Sequence, residues 1–90
     1  MENQIYDTAE DVEYRNAVRA FFLIYNSLRK KRALKWSGNF NLKGGQIKVW
    51  EYKNNGEIKT VCFVKAENST DCYRMAAERL KQEQETAAAI

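Results

Sequence analysis

The chain of 90 residues contains no histidine and no proline, and it has only four glycines and two cysteines. Without histidine, it lacks the commonest general base, a common metal ligand and the usual pH-sensitive switch of proteins. No serine or cysteine has a neighbouring base motif, and no glycine-rich phosphate loop precedes a helical pattern. Most of the acidic residues stand in the first turns of predicted helices or in a polar tail, and none forms a pair among apolar neighbours. We therefore expect a binding protein, not an enzyme, with no cofactor and no metal site.

Cysteines and long apolar runs are scarce as well. Cys62 and Cys72 are too few for a disulfide framework, and both fall where we expect buried positions. We interpret them as small buried hydrophobic residues rather than as a disulfide or a redox pair. The longest apolar run, residues 20–25, is far shorter than the roughly 18 residues that a membrane span requires. These features predict a reduced, cytoplasmic protein without a membrane partner.

The middle of the chain predicts three antiparallel strands joined by two tight turns. Gly44-Gly45 and Asn55-Gly56 are loop sequences that supply positive φ at little steric cost. Both stand between segments in which apolar and polar residues alternate, which is the pattern of a β-hairpin. The predicted strands are residues 34–43, 46–54 and 57–65.

Two-residue turns would fix the register of the three strands, with Leu42 opposite Ile47 and Tyr52 opposite Lys59. Because successive side chains point to opposite faces, each face then has its own composition. The apolar face, which we expect to be the core, holds Phe40, Leu42, Ile47, Val49, Ile58, Cys62 and Val64. The mixed face holds Asn39, Asn41, Lys48, Trp50, Tyr52, Lys59, Val61, Phe63 and Lys65.

Amphipathic helical patterns flank the strands on both sides. Apolar residues three and four positions apart predict a long helix over residues 8–32, with Asp7 or Thr8 as its cap. A second helix is predicted over residues 69–84, followed by a frayed tail over residues 85–90. The chain as a whole is therefore expected to form one α+β domain with the order α-β-β-β-α.

The net charge is only +3, but the basic residues are concentrated in the middle of the chain. Residues 1–14 contain five acids and no base, residues 15–65 contain twelve bases and two acids, and the rest contains five acids and three bases. A positive region of this kind attracts phosphate groups or an acidic protein surface; a solvated coat of lysines is the alternative interpretation. The candidate phosphate contacts on the first helix and its basic end are Arg19, Arg29, Lys30, Lys31 and Arg32.

The function of the mixed face depends on how the helices cover the sheet. If both helices pack on the apolar face, the mixed face is open and could stack bases or read a groove. If one helix covers each face, Trp50 and Phe63 are ordinary core residues and binding moves to the basic helix. The candidate binding residues on the sheet are Lys48, Trp50, Tyr52, Lys59 and Phe63.

The segment from residue 48 to residue 80 carries a family resemblance. A hairpin ending in Val61-Cys62-Phe63-Val64-Lys65 is followed by Asn68-Ser69-Thr70-Asp71, and then by Met75-Ala76-Ala77-Glu78-Arg79-Leu80. This segment resembles plant AP2-type and phage integrase arm-binding domains. The resemblance implies a three-stranded sheet that enters the major groove of DNA, supported by a helix with an Ala-Ala pair. The residues facing the groove would be Lys48, Trp50, Tyr52, Lys59 and Val61.

Two functional hypotheses therefore remain. The first is a non-catalytic nucleic-acid-binding or regulatory module for DNA or RNA. The second is a small phage or mobile-element inhibitor of the anti-CRISPR kind, which would bind an acidic patch on a host nucleic-acid-processing complex. A homodimer formed through the aromatic face is compatible with either hypothesis.

Overall fold

Two helices and a three-stranded antiparallel sheet make up residues 8–88, the part of the chain that the computed structural model describes. The elements, in chain order, are α1 (Ala9–Arg29), β1 (Leu34–Asn41), β2 (Gly44–Tyr52), β3 (Ile58–Ala66) and α2 (Ser69–Ala88). The strands lie in the order β1-β2-β3, so that β2 is central. This is the α+β architecture, α-β-β-β-α, that the sequence predicts.

The first helix begins with a capping box. The Thr8 hydroxyl accepts a hydrogen bond from the backbone N–H of Asp11, and the Asp11 carboxylate accepts one from the backbone N–H of Thr8, both at 3.1 Å. These two bonds satisfy donors that a helix start otherwise leaves unpaired. The alternative cap, Asp7, lies outside the described residues. The helix ends at Arg29, three residues earlier than predicted, so most of the basic cluster lies in the turn that follows.

The second helix begins at Ser69, as predicted, and is longer than predicted. The Asn68 side-chain oxygen accepts a hydrogen bond from the backbone N–H of Asp71 at 2.8 Å, which satisfies one of the free donors of the first turn. The helix continues to Ala88. Residues 85–88, expected to be a frayed tail, are therefore helical, while residues 89–90 lie outside the described part of the chain.

Both helices pack on the same face of the sheet. The buried core draws on both helices and all three strands: Ala17, Phe21, Tyr25 and Leu28 from α1, Leu34, Ile47, Val49, Cys62 and Val64 from the sheet, and Cys72, Tyr73, Ala76 and Leu80 from α2. The Tyr25 hydroxyl ties α1 to the sheet by donating to the Leu34 carbonyl at 3.2 Å. The sequence allowed two arrangements of the helices, and the observed one leaves the mixed face without a helix.

The pairing of β1 with β2 differs from the predicted register by four residues. Phe40 lies opposite Gly45 instead of Val49, and Ile47 lies opposite Gly38 instead of Leu42. Because four is an even number, the residues keep their predicted faces. Two predicted core residues nevertheless lie outside the core, since the slip places Leu42 in the turn, where it is fully exposed, and leaves Phe40 38% exposed.

The first turn consists of Leu42 and Lys43, and the two glycines belong to β2. The Asn41 side chain holds the turn by accepting a hydrogen bond from the Lys43 N–H at 2.8 Å. Gly44 has a φ of +144°, and a Cβ atom there would lie 2.5 Å from the Ala66 carbonyl oxygen. Gly44, which the sequence assigned to the turn, is thus required in β2 both by its positive φ and by the close approach of the last residue of β3.

The pairing of β2 with β3 follows the predicted register only from Gly45 to Val49. Ile47 pairs with Val64 and Val49 with Cys62, as expected. A β-bulge then interrupts the register, and the predicted pairs Trp50 with Val61 and Tyr52 with Lys59 are wrong. The observed pairs are Trp50 with Thr60, Glu51 with Lys59 and Tyr52 with Ile58.

The bulge compensates for a turn that is one residue longer than predicted. The loop is Asn54, Asn55 and Gly56, closed by a hydrogen bond from the Lys53 N–H to the Glu57 carbonyl at 2.8 Å. Gly56 takes a positive φ of 87°, as is common in the third position of such loops. Val61 is the extra residue on β3, so side chains between the loop and the bulge exchange faces. Ile58, predicted to be in the core, therefore lies on the mixed face and is 59% exposed.

Candidate functional site

The face of the sheet without helices, here called the open face, presents its side chains in rows across the three strands. Each row contains one residue from each strand, in the register given above. The full rows are Lys35–Trp50–Thr60, Ser37–Lys48–Phe63 and Asn39–Gln46–Lys65, and the pair Tyr52–Ile58 extends them at one end. An antiparallel sheet tolerates one bare face of this kind when the other carries the core.

Three lysines cross the open face as a diagonal. Lys35, Lys48 and Lys65 stand on β1, β2 and β3 in turn, each one row further along the sheet, and all three are exposed. Diagonal neighbours in an antiparallel pair are about 7–8 Å apart. No acidic residue occurs in these rows. We call this arrangement the lysine diagonal; it forms a positive line along which phosphate groups could lie.

On one side of the lysine diagonal the open face is aromatic and apolar. This aromatic half consists of Trp50, Tyr52, Ile58 and Phe63. Tyr52 is 43% exposed and Phe63 45%, while Trp50 is half-buried. The Lys65 ammonium group lies 5.6 Å from the centre of the Phe63 ring. Flat rings beside cations suit the stacking of planar ligands.

On the other side of the lysine diagonal the open face is polar. Asn39 and Gln46 face each other across β1 and β2, and Gln46 in turn lies opposite Lys65. These side chains border a cavity of about 260 Å³, which we call the amide cavity. Its lining residues are Asn39, Asn41, Lys43, Gly44, Gly45, Gln46, Lys65 and Ala66.

Four of the five predicted sheet residues meet on the open face: Lys48, Trp50, Tyr52 and Phe63. The prediction that Lys59, the fifth residue, lies on this face is wrong, because the bulge turns it to the opposite face of the sheet, where it pairs with Glu51. Val61, which the resemblance placed among the groove-facing residues, is the bulge residue and is half-buried. Lys35 was missed. Its parity with Asn39 and Asn41 was the available signal, but the predicted register placed it beyond the aromatic residues, whereas it lies opposite Trp50.

The basic residues of α1 lie apart from the open face. Arg19 is exposed and stands two residues from both Ala17 and Phe21, which are buried, so it points away from the core. Arg29 and Lys30 are exposed at the end of the helix. The sheet separates α1 from the open face, so Arg19 and the lysine diagonal do not form one surface.

Lys31 differs from its neighbours in the basic cluster. It borders a cavity of about 560 Å³ at the end of the sheet where the β2–β3 loop begins. Tyr52 and Lys53 border the same cavity, together with Arg32, Ala33, Glu51 and Asn54. Lys31 and Arg32 are therefore the two members of the cluster that share this cavity with Tyr52 of the aromatic half.

Arg32 has a structural role that the sequence did not indicate. Its Nε and Nη2 atoms donate to the two carboxylate oxygens of Glu51 at 2.9 and 2.8 Å, and its Nη1 lies 3.1 Å from Glu83 Oε1. The hydrogen bonds from Arg32 lower the pKa of Glu51, and the same bonds raise the pKa of Arg32. We therefore correct its assignment as a phosphate contact, since its guanidinium group already binds two carboxylates.

The two cysteines do not add a reactive group to this surface. Both are free and buried in the core. Burial raises the pKa of the Cys62 thiol to about 11 and also raises the pKa of Cys72. Both thiols are thus protonated at neutral pH, and a thiol is a much weaker nucleophile than a thiolate. Within residues 8–88, no three His, Cys, Asp or Glu side chains lie together in a way that could hold a metal ion.

Comparison with known proteins leaves the open face as the main basis for a functional argument. No protein-family model, no curated protein and no solved structure matches this chain. Neither helix of the described residues combines the length and the apolar character needed to cross a membrane.

Proposed function

We propose that this protein is a non-catalytic, cytoplasmic module that binds single-stranded nucleic acid on the open face. The observation that carries the proposal is the lysine diagonal beside the aromatic half, on a face that neither helix covers. In this mode the phosphates follow Lys35, Lys48 and Lys65, and bases stack on Trp50, Tyr52 and Phe63.

The charges of the open face support a phosphate backbone as the ligand. Lysines stand on all three strands, and the rows contain no carboxylate that would repel a phosphate. Neutralising phosphates releases condensed cations, so the affinity falls as the salt concentration rises. Three contacts to a single strand give a slope of about −2 for the logarithm of the binding constant against the logarithm of salt.

The exposed rings favour unpaired bases over a duplex. Stacking on an aromatic side chain contributes about 1–3 kcal/mol per base, and it requires a base whose flat side is accessible. The resemblance to AP2-type and integrase arm-binding domains implies insertion into the major groove instead. None of the three strands carries arginine, the residue most often used to read base edges there. The composition of the open face therefore supports stacking.

An acidic protein surface is the competing partner, as in the inhibitor hypothesis. The lysine diagonal complements such a surface too. Nucleic acid is favoured because Tyr52 and Phe63 stand exposed next to lysines, which combines the two features that a single strand needs.

Fluorescence anisotropy with labelled oligonucleotides tests the proposal directly. Single-stranded and duplex forms of one sequence are titrated with the protein at low and moderate salt. We expect tighter binding to the single strand and a clear weakening with salt. Phe63→Ala should weaken binding about tenfold through lost stacking, and Lys48→Ala should reduce the salt slope by about 0.7.

Lys81→Ala is the matched control, because Lys81 is an exposed lysine on α2, on the other side of the sheet. It should leave both the affinity and the salt slope unchanged. Absence of binding at low salt would refute the proposal and favour the acidic protein partner. Duplex binding that is insensitive to Phe63→Ala would refute the stacking mode.

A further inference from the structure

The amide cavity lies beyond the lysine diagonal and is not used by the stacking described above. Asn39 and Gln46 stand directly opposite each other on β1 and β2, and directly opposed side chains have Cβ atoms about 4.5–5.5 Å apart. Their two amide groups therefore reach the same small volume. Lys43 and Lys65 stand at the border of the same cavity and add positive charge to it.

The chemistry of two amides distinguishes this cavity from a simple phosphate site. A carboxamide both donates and accepts hydrogen bonds, whereas a phosphate offers acceptors almost exclusively. Asn41 is less available, because its oxygen already accepts from the Lys43 N–H at 2.8 Å. Asn39 and Gln46 are thus suited to a ligand edge that presents a donor next to an acceptor.

We propose that the amide cavity holds one adenine base of the bound strand, read by Asn39 and Gln46. Adenine presents its N6 amino donor beside the N7 acceptor, the edge that Asn and Gln pair with in a bidentate manner. The neighbouring phosphate lies against Lys43 or Lys65. Guanine offers two acceptors on that edge, which suit Arg or Lys better than an amide. This inference rests on the proposed function and adds a base preference to it.

The preference is measured with oligothymidylates of equal length, one unmodified and the others with a single adenine, cytosine or guanine at a central position. Anisotropy titrations should give about tenfold tighter binding for the adenine-containing strand, the size expected of one bidentate contact. Asn39→Ala and Gln46→Ala should each remove this preference while the unmodified strand still binds. Gln82→Ala, an exposed amide on α2, should preserve it.

The outcomes separate this inference from the proposed function. If the strands bind with no adenine preference, or if the preference survives in Asn39→Ala and Gln46→Ala, the inference is overturned while strand binding still supports the proposed function. If no oligonucleotide binds, the proposed function fails, and the cavity is tested with adenosine and cytidine monophosphate by NMR. Selective shifts of the Asn39 and Gln46 side-chain amide signals with the adenine nucleotide would support the adenine site; equal or absent shifts would refute it.

Discussion

Phe40 explains two of the four glycines in the chain. Its ring lies across Gly38 and Gly45 on the helix side of the sheet and stacks on Tyr73, with ring centres 5.3 Å apart. A Cβ atom on Gly38 would come within 2.7 Å of the Phe40 ring, and one on Gly45 would meet the ring more closely still. The glycines therefore allow an aromatic side chain to cover backbone that would otherwise face solvent.

We predict that Gly45→Ala destabilises the protein by about 1–3 kcal/mol, because the new methyl group collides with the Phe40 ring and forces it to move. Urea denaturation of the variant and the parent measures the difference. In a Phe40→Ala background the same substitution should cost much less, since the colliding ring is gone. An equal cost in both backgrounds would contradict this explanation and indicate a backbone cause.

Among the elements, Arg32 joins three segments that are distant in the chain. It stands in the turn after α1 and binds Glu51 on β2 and Glu83 on α2. The Arg32 and Glu51 side chains are 20% and 21% exposed, so their pairing is partly shielded from water. This link fixes the end of α1 against the sheet and against the other helix.

The link makes stability depend on pH. The pKa of Glu51 is lowered in the folded protein, so its contribution is complete above the unfolded value of about 4.3 and is lost as the pH falls through the lower folded value. We expect Glu51→Gln to cost about 1–2 kcal/mol at pH 7 and much less near pH 3. Urea denaturation at the two pH values measures this. Glu85→Gln, at an exposed position on α2, should show no such difference, and a pH-independent cost of Glu51→Gln would contradict the assignment.

The order of the elements was predictable because the helical and alternating patterns are long and uninterrupted. The burial of Ile47 and Val49 followed from alternation on the central strand, where both neighbours restrict the register. The turns were not predictable in the same way. Gly44 has a positive φ, but it lies in β2, where its missing side chain leaves room for the Ala66 carbonyl. The loop that ends at Gly56 contains three residues instead of two. A local sequence pattern does not reveal such contacts between distant segments.

For the whole molecule, the important result is that the basic residues fall on two different sides. Arg19, the helix end and the sheet lysines were all candidates because they are positive, and charge alone does not show which side of the molecule a residue faces. The placement of Lys48, Trp50, Tyr52 and Phe63 on one face followed from alternation, but the absence of a helix over them did not. Which face the helices cover depends on their packing with each other, and a pattern in one segment contains no information about that.

This separation predicts different effects for two adjacent lysines. Lys31 borders the same cavity as Tyr52 and Lys53, whereas Lys30 is the C-cap residue at the end of α1. We expect Lys31→Ala to weaken oligonucleotide binding by several-fold at low salt and Lys30→Ala to have little effect. Parallel anisotropy titrations with both variants provide the measurement, and thermal denaturation confirms that each remains folded. Equal losses would show that the helix end binds as a unit.

The two sides of the sheet also divide the chain into positions that differ in their freedom to change. Residues on the helix side are constrained by one another, since each fills space that its neighbours define. Residues such as Lys48, Phe63 and Asn39 contact solvent, and replacing them leaves the core intact. A single mutation there can change the charge or shape of the open face without endangering folding, so this face can be altered by stepwise substitution while the core stays the same. The same property makes the open face a convenient surface for randomised libraries.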